Sequence, residues 1–213
     1  LDCVVRGNQA TRGGGIFINQ AGGQVTDSIV EANQASWGAG IYLSDGGVVS
    51  GSIIRDNQTM SNAEWHEGGG AYVENYGELT HCVIENNESG KYGGGVVLYH
   101  GGLLSHCEIR ANRAGIAAGG VYAFKGGTLR NTLIVENEAP DAAGVSGYYG
   151  GVLENCTVAD NWAELRGGGI YFYQGGVVRN SLIYYNTALY GANYYTEIYG
   201  DDHFEYSCTI PLA

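Results

Sequence analysis

One asparagine recurs along this chain at a nearly fixed interval. Asn8, Asn33, Asn57, Asn87, Asn112, Asn137, Asn161 and Asn186 are separated by 25, 24, 30, 25, 25, 24 and 25 residues. Three residues before each stands Val or Ile, from Val5 to Ile183, and two after each stands Ala, Ser or Thr. Between these marks, short runs alternate apolar and polar residues and are broken by Gly pairs and trios, which is the signal of strands separated by turns. No run holds a helical period. A unit this short cannot bury its own apolar face, so neighbouring copies must stack on it. One turn of chain per repeat gives an all-β fold, a single-stranded parallel β-helix of about eight coils of roughly 25 residues. The crossover preference of parallel strands makes it right-handed.

The charges offer an internal test of that stacking. Coils in register bring equivalent positions to about 4.8 Å of one another. Two residues before the Asn the column reads Arg6, Glu31, Arg55, Glu85, Arg110. One residue after it the column reads Gln9, Gln34, Gln58, Glu88, Arg113, Glu138, and seven before it the last coils read Arg130, Glu154, Arg179. Opposite charges across neighbouring strands are favourable and like charges are not, so columns that alternate in sign place these residues side by side.

Uniform repeats over 213 residues argue for one solenoid domain spanning 1–213, expected to belong to a longer protein because both ends fall within a coil. Residues 59–67 form an insertion, and the pattern loosens over a Tyr-rich stretch at 189–206 that is expected to bulge outward. A net charge of −12 argues against nucleic acid and anionic membranes as partners, and no apolar run is long enough for a membrane-spanning helix. Cys3, Cys82, Cys107, Cys156 and Cys208 share one inward column; no Cys-x-x-Cys is present, so no metal or cofactor is expected. Only Cys82 and Cys107 fall on adjacent coils, and their disulfide state stays open, with small buried thiols the simpler reading. The Gly clusters serve coil corners, since no Lys-Ser/Thr follows as in a phosphate loop, and the Asn column is expected to satisfy turn backbone.

Two recurring elements carry a resemblance. The first is Gly13-Gly-Gly-Ile-Phe, Gly38-Ala-Gly-Ile-Tyr, Gly68-Gly-Gly-Ala-Tyr, Ala118-Gly-Gly-Val-Tyr and Gly167-Gly-Gly-Ile-Tyr; the second is Ile54-Arg-Asp-Asn, Ile109-Arg-Ala-Asn and Ile183-Tyr-Tyr-Asn. Together they resemble the repeats of polymorphic outer membrane proteins, with Ile or Val here in place of the family's Phe. The wider resemblance is to bacterial right-handed β-helix repeat proteins, related in shape to pectate lyases. It implies an extracellular or outer-surface location and either adhesion or polysaccharide chemistry, and fold alone does not choose between them.

Three surfaces are candidates for function. Downstream of the Gly trios, alternation turns Tyr72, Tyr99, Tyr122, Phe124, Tyr148, Tyr171 and Tyr173 outward, a patch suited to stacking on sugar rings or to stacking on itself. The following column reads Asp45, Asn75, His100, Lys125, Tyr149, Gln174. With Glu74, the side chains of Asp45, His100 and Lys125 are the types that acid–base work on an acidic polysaccharide would use, although an ordinary polar edge explains them as well. Four residues before each Asn lies an outward strip that includes Ile29, Ile53, Val83, Leu133 and Leu182, apolar enough for lateral self-association or another protein neighbour. The leading expectation is a structural or adhesive surface module that binds carbohydrate or protein, and the alternative is a polysaccharide lyase or hydrolase.

Overall fold

The alternating runs are only two to six residues long, and the corners between them place a residue in the left-handed region, so the chain turns several times per repeat. A computed structural model of the chain describes residues 2–60, 67–197 and 202–210. Among these, the strands form four sheets that are parallel throughout, a β-solenoid of about eight turns. The ladder sheet runs in nine strands from Val4–Arg6 to Cys208–Ile210 and leads into each Asn. A short sheet of six strands, Gln34–Ala35 to Trp162–Arg166, follows the Asn. After the Gly trio comes the aromatic sheet of eight strands, Ile16–Ile18 to Tyr194–Thr196. The fourth face, also of eight strands, runs from Ala21–Thr26 to Asp202–Glu205.

Register follows the repeat. Val30, Ile54, Ile84, Ile109, Ile134, Val158 and Ile183 pair in sequence down the ladder sheet and are wholly buried. With the inward Leu and Val residues of the other faces they fill one continuous core. Each buried Leu or Ile contributes about 1.5–3 kcal/mol by removal from water. The extra residue of the second coil is taken up as a bulge between Ala21 and Gln24. Residues 61–66 of the insertion and 198–201 of the Tyr-rich stretch lie outside the described residues. On either side of the latter, Tyr194–Thr196 and Asp202–Glu205 continue two sheets in register.

The Asn column forms a buried ladder. Asn112 donates its backbone N–H and its Nδ2 to Oδ1 of Asn137, each at 3.0 Å, and its Nδ2 also reaches Ile84 O at 2.9 Å. The same pattern runs from Asn33 to Asn161. The third residue of each trio is Gly because the ladder needs its space: a Cβ on Gly95 would sit 2.7 Å from Gly120 O and 3.1 Å from Asn112 Nδ2. At the last step Asn186 donates to Oδ1 of Asn193, only seven residues on, at 3.2 and 3.1 Å. Asn193 stands one coil beyond Gly169, where the other trios have Gly.

Cys82, Cys107 and Cys156 are buried free thiols, as their column predicts. Cys3 and Cys208 depart from that reading and are exposed. Cys3 directly precedes and Cys208 begins the two edge strands of the ladder sheet, where no further described strand covers them.

Candidate functional site

The aromatic sheet carries its outward side chains in two columns. The first, Phe17, Tyr42, Tyr72, Val97, Tyr122, Ser146 and Tyr171, is in register from strand to strand. The second places Glu74 beside Tyr99, Tyr99 beside Phe124 and Phe124 beside Tyr148. Pointing outward does not leave these rings open to solvent: Tyr42 is 3% and Tyr72 6% exposed. They cover one another. Tyr42 and Tyr72 stack at 5.1 Å and 1°, Tyr99 and Phe124 at 5.1 Å and 7°, and Tyr148 and Tyr173 at 4.4 Å and 4°. A ring face occupied by the next ring is closed to a sugar, so within each stack the aromatic column is cross-strand stabilisation.

The stacking breaks where Val97 stands between Tyr72 and Tyr122. A groove of about 560 Å³ opens there, lined by Trp37, Glu67, Tyr72, Tyr92, Tyr99, Tyr122, Phe124 and Tyr148. Its second wall comes from the position just before each Gly trio, where Trp37, Glu67 and Tyr92 bridge in succession. The alternating-strand pattern does not reach that position, so these three residues escape a reading based on strands alone. Burial pushes the Glu67 carboxyl above its ordinary range, and nearby Lys91 only partly offsets this. Burial, and then the Glu67 charge, raise the Tyr72 and Tyr122 phenols. These hydroxyls therefore stay protonated at neutral pH. The groove thus combines apolar ring edges, hydroxyls able to donate or accept, and one desolvated carboxyl.

The other predicted residues are dispersed. Tyr171 donates to Glu197 Oε1 at 2.9 Å beside the Asp141–Arg166 ion pair, and Tyr173 ends a ring stack; neither lines the groove. Glu74 accepts from Tyr42 Oη at 2.6 Å, and Asp45 from Asn75 Nδ2 at 3.0 Å. His100 and Lys125 adopt left-handed backbone, with φ of +63° and +58°, which folds them back onto the rings. The His100 imidazole lies 4.3 Å from the Tyr99 centroid, and Lys125 Nζ lies 5.5 Å from that of Phe124. Its ring packing leaves His100 Nε2 buried without a hydrogen-bond partner.

On the ladder sheet, Ile29, Ile53, Val83, Leu133 and Leu182 form the expected outward column. Ile29, Ile53 and Val83 are half-buried, Leu133 and Leu182 are exposed, and Glu108 and Thr157 interrupt the run. Among the described residues no group of three or more His, Cys, Asp or Glu is placed to hold a metal ion, and no helix is long and apolar enough to cross a membrane. Compared with family models, with curated proteins and with solved structures, the chain matches none, and the likeness to β-helix repeats holds at the level of the parallel solenoid of about eight turns.

Proposed function

We propose that this chain is a binding module of a secreted or cell-surface β-solenoid and takes carbohydrate in the groove over the aromatic sheet. The observation that carries this reading is the gap in the ring column at Val97, walled by seven aromatic side chains around Glu67. A sugar presents C–H groups to ring edges and hydroxyls to phenols and carboxyl, and the groove offers partners for each. Binding is favoured over turnover by the fate of the acids. Hydrolysis of glycosides generally uses two facing carboxyl groups, whereas among the described residues Glu67 is the one carboxyl lining the groove and Glu74 is engaged by Tyr42.

The reading is tested on a glycan array followed by calorimetric titration of the best ligand. Tyr122→Ala, which removes one wall, should weaken binding about tenfold without altering the far-ultraviolet circular dichroism. Wild-type affinity in a folded Tyr122→Ala protein would remove the groove from consideration.

A further inference from the structure

The corner that follows the aromatic sheet is built from a Gly pair in most coils. In Gly46–Gly47, Gly101–Gly102, Gly126–Gly127 and Gly150–Gly151 the first glycine has φ of +95°, +104°, +94° and +99°. In the fourth coil that place is taken by Tyr76, with φ of +62°, directly after Asn75 at +57°. Among the described residues this is the only pair of consecutive non-glycine residues in the left-handed region. A bulky side chain there carries backbone strain that glycine avoids. Burial does not offset it, because Tyr76 is 80% exposed. Its ring reaches over the backbone of the next coil: a Cβ on Gly101 would meet Tyr76 Cδ1 and Cε1 at 3.5 Å.

Depressions flank the ring on both sides. One, of about 470 Å³, has Asp45, Asn75, Tyr76 and Glu78 around the Gly46–Gly47 floor; the other, of about 370 Å³, has Tyr76 and Glu78 beside Gly101–Gly102 and Gly127. They form a glycine-floored trough along the solenoid axis with Tyr76 standing in it. We infer that this trough is a second saccharide site, and that Tyr76 is a stacking platform for a pyranose ring of a neutral β-linked glycan. A solvent-facing ring retained at the expense of local strain is explained by a ligand that uses it. The charged groups at the rim are carboxylates, Asp45 and Glu78, which accept from sugar hydroxyls and repel uronates, as does the net charge of −12. The coil spacing of about 4.8 Å is close to the length of one pyranose in an extended chain, so successive sugars meet successive glycine pairs.

This inference shares its ligand class with the groove reading but none of its residues, and the two can fail separately. The test titrates cellohexaose, chitohexaose, mannohexaose and a galacturonate hexamer into Tyr122→Ala protein, so that groove binding does not mask the trough. One or more of the neutral hexasaccharides should bind and the galacturonate hexamer should not. Adding Tyr76→Gly should weaken that binding about tenfold and raise the thermal midpoint, because the strain goes with the ring. Tyr76→Phe should keep the affinity. No binding by any neutral hexasaccharide, preferential binding of galacturonate, undiminished binding by Tyr76→Gly, or a lowered thermal midpoint in Tyr76→Gly would each overturn the inference.

Discussion

Glu67 shows how a single side chain reports its surroundings. Its folded-state pKa lies above the ordinary carboxylate range of about 4.3, chiefly through burial. A raised acid favours the folded state when protonated, so its contribution is most favourable at pH below the unfolded value and is lost as pH rises through the folded one. Glu67→Gln should therefore raise the urea midpoint at pH 7 while leaving it nearly unchanged at pH 4. A midpoint that falls at pH 7 would mean that the attraction to Lys91 outweighs the desolvation. The neighbouring Tyr72 and Tyr122 hydroxyls, held protonated by the same burial and by the Glu67 charge, should show no phenolate absorbance up to pH 10 in intact protein.

At the scale of the strand, the charge columns are the feature most directly visible in the sequence. Arg55 is flanked in register by Glu31 and Glu85, as the alternation requires. The ion pairs, however, are closest two by two: Arg55 holds Glu31 at 2.7 Å while Arg6 reaches it only at 3.9 Å, and Arg110 holds Glu85 at 2.5 Å with Glu108 at 3.2 Å. Glu154 lies between two partners at closer range, with Arg130 at 2.9 Å and Arg179 at 3.5 Å. These pairs are partly exposed, so Glu154→Gln should cost about 1 kcal/mol at low salt, shrinking toward zero in molar salt as screening sets in. A cost that does not change with salt would point to packing by the Glu154 stem instead. The same register made the Asn ladder and the inward apolar columns legible, because a period fixes which residues are neighbours. It did not fix exposure. Tyr42 and Tyr72 point outward as alternation requires but are buried by their own neighbours. Nor did it single out Tyr76, which occupies a corner position where the other coils named above keep Gly, or the Trp37–Glu67–Tyr92 wall, whose column changes residue type at each step.

Across the whole molecule, each coil touches chiefly the coils before and after it, and stability is close to a sum of neighbour interfaces. The place of a lesion along the axis should then decide its reach. Asn112 lies mid-ladder and is fully buried: Asn87 donates two bonds to its Oδ1, and it donates two to Asn137. Asn112→Ala leaves the Asn87 donors buried without an acceptor and should cost about 3 kcal/mol, a loss felt in global unfolding. Asn193 instead terminates the ladder, accepting from Asn186 without another ladder Asn beyond it among the described residues. It replaces the trio Gly seen in earlier coils. Its side chain occupies the inward space that each earlier Gly leaves for a ladder Asn, as a Cβ on Gly169 would sit 2.8 Å from Asn186 Nδ2. Asn193→Gly should therefore restore the corner but remove the cap. Native-state hydrogen exchange distinguishes the two lesions. In Asn193→Gly, protection should fall at Asn186 and across Tyr194–Thr196 while Val83–Glu85 and Glu108–Arg110 keep wild-type rates. In Asn112→Ala all four segments should lose protection together. Loss of protection in the central strands of Asn193→Gly would show that the coils unfold as one unit and that the neighbour-by-neighbour description fails.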